Sequence, residues 1–145
     1  MHYEIKCPFC SQVFEADAKY LLSTAYRKLS EHLENDHFDQ VEDWFKQHRK
    51  KWYYVKSSCL KPFKGYLIGT LGGTTPLIVK ATPEQFRKLK GAKNLRELVS
   101  ALNEIISAMD QTNPQQFAIL LQAAVLIRWI FSYFASQTTT LKVSH

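Results

Sequence analysis

The sequence predicts an α+β protein: an N-terminal module closed by an extended helix, then a small antiparallel β-hairpin or three-stranded sheet, then C-terminal helices. Three observations carry this. A Cys-x-x-Cys pair at the N-terminus precedes a stretch of helical apolar spacing that ends in histidines. A middle section holds short runs of aromatic and β-branched residues around a Gly-rich turn, the pattern of strands. Beyond it, capping residues followed by Glu or Gln mark helix starts.

In chain order, a short strand or knuckle runs through Cys7 and Cys10, and Ala18, Leu22, Ala25, Leu29 and Leu33 then fall three to four apart. "ENDHFD" marks the end of that helix, and "VEDWFKQHRKK" suits a second helix or its tail. "WYYVKS", "GYLIGTL" and "PLIVKA" predict strands, with "GGTT" as the hairpin turn between the last two. Thr82 with Pro83 and Gln85, Asn94 with Glu97, and Asn113 with Pro114 and Gln116 each set a capping side chain three residues before a Glu or Gln. Pro at the first helical position loses nothing, because its missing N–H has no partner there. The predicted helices run from about Pro83 to Lys90, Leu95 to Met109 and Pro114 to Ser136.

The ligand set is Cys7, Cys10, His32 and His37, spaced C-x2-C-x21-H-x4-H. Two thiolates from a knuckle and two imidazoles from a helix end supply the four borderline-soft donors that zinc takes tetrahedrally. A five-residue step turns about 140° on an ideal helix, so His37 reaches the same ion only if the last turn loosens. His48 is a reserve ligand. Phe14 follows Cys10 after "SQV", and Leu29 precedes His32 by "SE", so two small-core residues stand in register with the ligands. On these residues, over about 5–38, the chain resembles the C2H2 zinc finger family. The resemblance implies a structural zinc ion on Cys7, Cys10, His32 and His37. It departs from the family in its spacer: fourteen residues separate Phe14 from Leu29, where the family usually has five. The extra nine or so would lengthen the helix by about 13 Å. The family's base-reading positions, counted back from His32, correspond to Ala25, Arg27, Lys28 and Glu31.

Charge divides the chain. Residues 1–43 hold four basic and nine acidic side chains, net −5, whereas 44–145 hold fifteen and four, net +11, for a total of +6. The predicted division is therefore a zinc-binding module at 1–43 and a basic α+β domain at 44–145. An acidic module is repelled by a polyanion, so packing or protein docking suits it better than base reading. The nucleic-acid expectation moves to "KQHRKKWYYVK", where cations meet phosphates and rings stack on bases. The residues named for this are Arg49, Lys50, Lys51, Trp52, Tyr53 and Lys56, within positive stretches at 46–64 and 87–96. A solvated basic face with core aromatics is the competing account; on a strand, alternation buries Trp52 and Tyr54 or else Tyr53 and Val55.

At 145 residues with 46% apolar and 22% charged composition, the chain is globular in character. Three cysteines suit reduced, metal-binding chemistry rather than a disulfide framework, which points to the cytoplasm. "GTLGGTT" lacks the Gly-Lys-Ser/Thr ending of a phosphate loop, and lone Cys59 lacks an oriented base, so no enzyme is expected. "FAILLQAAVLIRWIFSYFA", residues 117–135, could just span a bilayer. Arg128 near its middle would cost about 2.5–3.5 kcal/mol on insertion. Gln122, Arg128, Ser132 and Ser136 share one side against Leu120, Ala124, Ile127, Phe131 and Phe134, which predicts a buried helix or a homodimer or partner interface. The leading expectation is a small zinc-containing nucleic-acid-binding or regulatory protein. The alternatives are an interaction adaptor or inhibitor and, third, a membrane-anchored finger protein.

Overall fold

"HYEIK" alternates polar and apolar side chains, so a strand here buries one face and wets the other. A computed structural model describes residues 1–58, 61–63, 66–70, 76–108 and 114–144, with the side chains of 61–80 and 114–125 outside that description. In it, β1 (His2–Lys6) turns Tyr3 and Ile5 inward. The strand β2 (Val13–Ala16) pairs antiparallel with β1, setting Ile5 opposite Phe14 and Tyr3 opposite Ala16. A 3₁₀ turn (Lys19–Leu21) leads into α1 (Leu22–Asp36), which buries Ala25, Leu29, Ser30 and Leu33. Of the fourteen spacer residues, 15 and 16 end β2, 19–21 form the 3₁₀ turn and 22–28 are the first two turns of α1, so half of the spacer lengthens the helix and most of the rest leads into it.

Two helices follow, α2 (Phe38–Gln47) and α3 (Arg49–Ser58). The second corrects the strand expected over "WYYVKS". Trp52 and Val55, three apart, are buried, whereas Tyr53 and Tyr54 are 59% and 52% exposed. That is the spacing of a helix face, not of a pleat. Strands β3 (Lys61–Phe63), β4 (Tyr66–Thr70) and β5 (Pro76–Lys80) form an antiparallel sheet in the order β3-β4-β5, so the strands expected over "GYLIGTL" and "PLIVKA" are present. The turn residues 71–75, with Cys59, Lys64 and Asn113, lie outside the described residues.

Capping forms as its chemistry requires. Before α4 (Pro83–Lys90), the Thr82 side chain accepts from the Gln85 amide while Gln85 accepts from the Thr82 amide, and Pro83 opens the helix. Before α5 (Leu95–Ser107), Asn94 accepts from the Glu97 amide at 2.9 Å, and the Glu97 carboxylate accepts from the Lys93 amide. The last helix, α6, spans Pro114–Thr138 and is followed by β6 (Leu141–Ser144). Strand β6 pairs antiparallel with β1, so the N-terminal sheet runs β2-β1-β6 with the first strand in its centre.

The chain groups into two units, one of residues 1–41 with 128–145 and one of 42–127. The first has a core of Tyr3, Ile5, Leu29, Leu33, Phe131 and Phe134. Its buried Ser30 hydroxyl donates to the Tyr26 carbonyl at 2.8 Å and meets the Ser132 hydroxyl at 2.8 Å, so that hydroxyl is fully partnered. The second unit has a core of Leu89, Leu95, Leu98, Leu102 and Ile105 with Trp52 and Val55. Of the C-terminal apolar run, Leu126, Ile127, Ile130, Phe131, Phe134 and Ala135 are buried within the chain. No helix among the described residues is long and apolar enough to cross a membrane.

Candidate metal centre

Between β1 and β2 the chain must reverse direction, and Cys7–Cys10 is where it does. The Cys7 amide donates to the Gln12 carbonyl at 2.9 Å, which closes the turn, and the Phe9 amide donates toward the Cys7 sulfur at 3.5 Å. Amides aimed at a sulfur favour its thiolate form. Both cysteines are free thiols.

The histidines come from the other end of α1. His32 sits one turn before the helix ends, and His37 is its C-cap with φ −132° and ψ 28°. The loosening expected of the last turn is therefore present: His37 keeps the helical hydrogen bond from its amide to the Leu33 carbonyl at 3.0 Å while its own dihedrals leave the helix. This lets both rings face the knuckle, with centroids 4.8 Å apart and planes at 80°.

Cys7, Cys10, His32 and His37 then bring one donor atom each within 4.8 Å of one another. Tetrahedral zinc sets its donors about 3.3–3.8 Å apart, and Cys10 Sγ to His32 Nε2 is 3.3 Å. The site needs only a small contraction to close on an ion. Two further observations fit a metal. His37 Nε2 is buried and makes no hydrogen bond, a state a neutral imidazole tolerates when a metal uses its lone pair. The Cys10 thiol is held down to about 6, first by the Gln12 amide and then by the two histidine rings. Burial instead pushes the Cys7 thiol up, a penalty that a bound cation would reverse.

Sequence reasoning did not find two supporting side chains. His32 Nδ1 donates to the Asp36 carboxylate at 2.9 Å, and His37 Nδ1 donates to the Gln40 side-chain oxygen. Each bond holds the ring proton on Nδ1 and leaves the Nε2 lone pair facing the cysteines, the usual outer support of a metal-bound histidine. The findable signal was spacing: an acceptor four residues after one histidine and three after the other, within reach along a helical stretch. Phe14 lies against the His32 ring, and Phe9 against both His37 and Phe134. These rings wall the site with apolar surface.

His48 is not in this group. Its ring stacks on Trp44 with centroids 4.3 Å apart, and its Nδ1 meets the Trp44 carbonyl at 2.8 Å. Ala25 is in the core, while Arg27, Lys28 and Glu31 are exposed. A second cluster, His2 with Glu4 and Glu15, lies on the outer face of the sheet as surface ion pairs of 3.4 and 3.5 Å, with Asp17 at 3.1 Å.

Of the residues expected to meet nucleic acid, Arg49, Lys50, Lys51 and Tyr53 are exposed on α3, Lys56 is half-buried and Trp52 is buried. At 100° per residue, Lys50, Tyr53 and Tyr54 lie on the side opposite Trp52 and Val55, while Arg49 stands on the flank between Tyr53 and Trp52. Among the described residues, no ion pair engages Arg49, Lys50 or Lys51. Comparison of the chain with known protein families, curated proteins and solved structures finds no match. The Cys7, Cys10, His32 and His37 arrangement is compatible with a C2H2 finger and can hold a metal ion.

Proposed function

We propose that this chain is a zinc-stabilised nucleic-acid-binding protein of a regulatory rather than catalytic kind. Its ion is structural zinc on Cys7, Cys10, His32 and His37. Two thiolates and two imidazoles exceed what magnesium or calcium will accept as ligands, and a closed set of four leaves no position for a reacting water. The observation that carries the second half is the outward face of α3, where Arg49, Lys50 and Tyr53 project together. A face of cations beside an exposed ring meets phosphates and bases at once. The reduced thiols suit a reducing compartment such as the cytoplasm.

Both halves are open to direct test. Metal analysis of the purified chain is expected to find about one zinc per molecule and its loss in Cys7→Ser and in His32→Ala. Full retention in both variants would sink the zinc assignment. Binding to labelled DNA and RNA at low ionic strength is expected to weaken steeply with salt and to collapse in the Arg49→Glu, Lys50→Glu double variant. A protein that binds neither nucleic acid at low salt has another partner.

A further inference from the structure

The second unit contains an open cleft of about 370 Å³ where α2 and α3 face the start of α5. Lys46, Arg49 and Lys93 stand around it, Trp52 and Tyr53 supply aromatic wall, and the Glu42 carboxylate lies inside. A volume in this range is that of a small-ligand site. Three cations against one carboxylate leave the cleft net positive, so its occupant is anionic. Tyr53, 59% exposed, offers a ring face from the rim, so the occupant is also planar. Glu42 narrows the chemistry further. Its side chain is only 13% exposed, one oxygen accepts from the Arg96 amide at 2.8 Å, and the other lies 3.7 Å from Lys46 Nζ. The Arg96 and Glu97 amides at the start of α5 are already taken by Glu42 and Asn94, which leaves little of the helix start for a phosphate. The anion is met chiefly by the Lys46, Arg49 and Lys93 side chains that line the cleft. The remaining lone pairs of Glu42 are acceptors, and every nucleobase carries an N–H donor on its Watson–Crick edge.

We propose that this cleft is a one-nucleotide subsite for single-stranded nucleic acid. The base enters against Tyr53 and Trp52 with its donor edge toward Glu42, and the flanking phosphates lie on Lys46, Arg49 and Lys93. A paired base keeps that edge for its complement, so duplex is disfavoured. The donor edge is common to all bases, so discrimination among sequences is weak. This rests on the nucleic-acid reading of α3 and adds to it a site, a strand state and the participation of Lys93.

Fluorescence anisotropy with labelled thymidine and uridine strands of about twelve nucleotides, and with a duplex of equal length, tests it on the full zinc-loaded chain. Tyr53→Ala and Lys93→Ala are each expected to weaken single-strand binding at least about fivefold at unchanged metal content and thermal midpoint. Lys93→Ala should also flatten the salt slope by about 0.7. Lys19→Ala, in the other unit and exposed, serves as the control for loss of one positive charge. Single strands should outcompete both the duplex and a poly-glutamate peptide of equal charge. If both cleft variants bind no worse than Lys19→Ala while the parent binds strands, the cleft assignment is overturned and the broader reading stands. Equal competition by poly-glutamate overturns it too, because the cleft would then recognise charge alone. If the parent binds no probe at about 20 mM salt, the nucleic-acid reading itself fails.

Discussion

At the scale of single residues, the candidate centre groups four side chains that could hold a metal ion, and its two histidines are each oriented by an acceptor, Asp36 for His32 and Gln40 for His37. Asp36→Asn weakens the hold on the His32 ring, and Gln40→Ala removes that on His37. Each is expected to lower zinc affinity about tenfold or more without abolishing binding, as a chromophoric chelator competition would measure. Affinity equal to the parent in both would mean the rings are set by packing alone. His2 offers a separate check. The bond to Asp17 raises its pKa above the ordinary value of 6.5, with partial burial opposing and Glu15 assisting. A cationic His2 is thus favoured in the folded state, so its small contribution is present below 6.5 and fades as pH rises through the folded value. An NMR titration should place His2 above 6.5, and Asp17→Asn should bring it down. The Cys7, Cys10, His32 and His37 cluster, which could hold a metal ion, was legible in the sequence because metal chemistry admits few residue types and the Phe14 and Leu29 register stands beside it. Asp36 and Gln40 were not, since a carboxylate and an amide near a helix end usually serve only solvent.

At the scale of elements, local chemistry and tertiary demand part company in α3. "WYYV" has strand composition, yet the segment packs by its Trp52 and Val55 positions, and a preference of under about 1 kcal/mol for strand is overridden by burial of a Trp. The difference is measurable. Trp52→Ala is expected to cost about 3–5 kcal/mol in denaturant unfolding, whereas Tyr53→Ala should stay within about 0.5 kcal/mol. Comparable losses at both positions would contradict the helical burial pattern. Asn94→Ala should cost about 1 kcal/mol by uncapping α5. Helix starts at Thr82 and Asn94 were readable because a cap is a local hydrogen-bond requirement. Strand β6 was not, because "LKVS" carries no periodic signal, and only the free edge of β1, formed elsewhere in the chain, gives it a reason to be extended.

At the scale of the whole molecule, metal and secondary structure are expected to be linked in the first unit. Chelation should abolish amide protection in β1, β2 and α1 while α4 and α5, capped and packed on Leu89, Leu98 and Leu102, keep theirs in hydrogen exchange. Uniform loss along the chain would mean that the ion supports everything. The central position of β1 also has a kinetic side. Its ladder with β2 joins Lys6 to Val13, whereas its ladder with β6 joins His2 to Ser144. Closing the second loop costs about 3 kcal/mol more in chain entropy than closing the first. Refolding of the zinc-loaded protein should therefore form the hairpin and its ligands early and add β6 late. Val143→Pro, which removes an amide from the strand that pairs with Tyr3, should erase the late step and spare the early one. On the way to its final state, one edge of the first strand would stand open as a place where another extended segment could pair, and the time spent in that condition is set by how soon the last strand arrives.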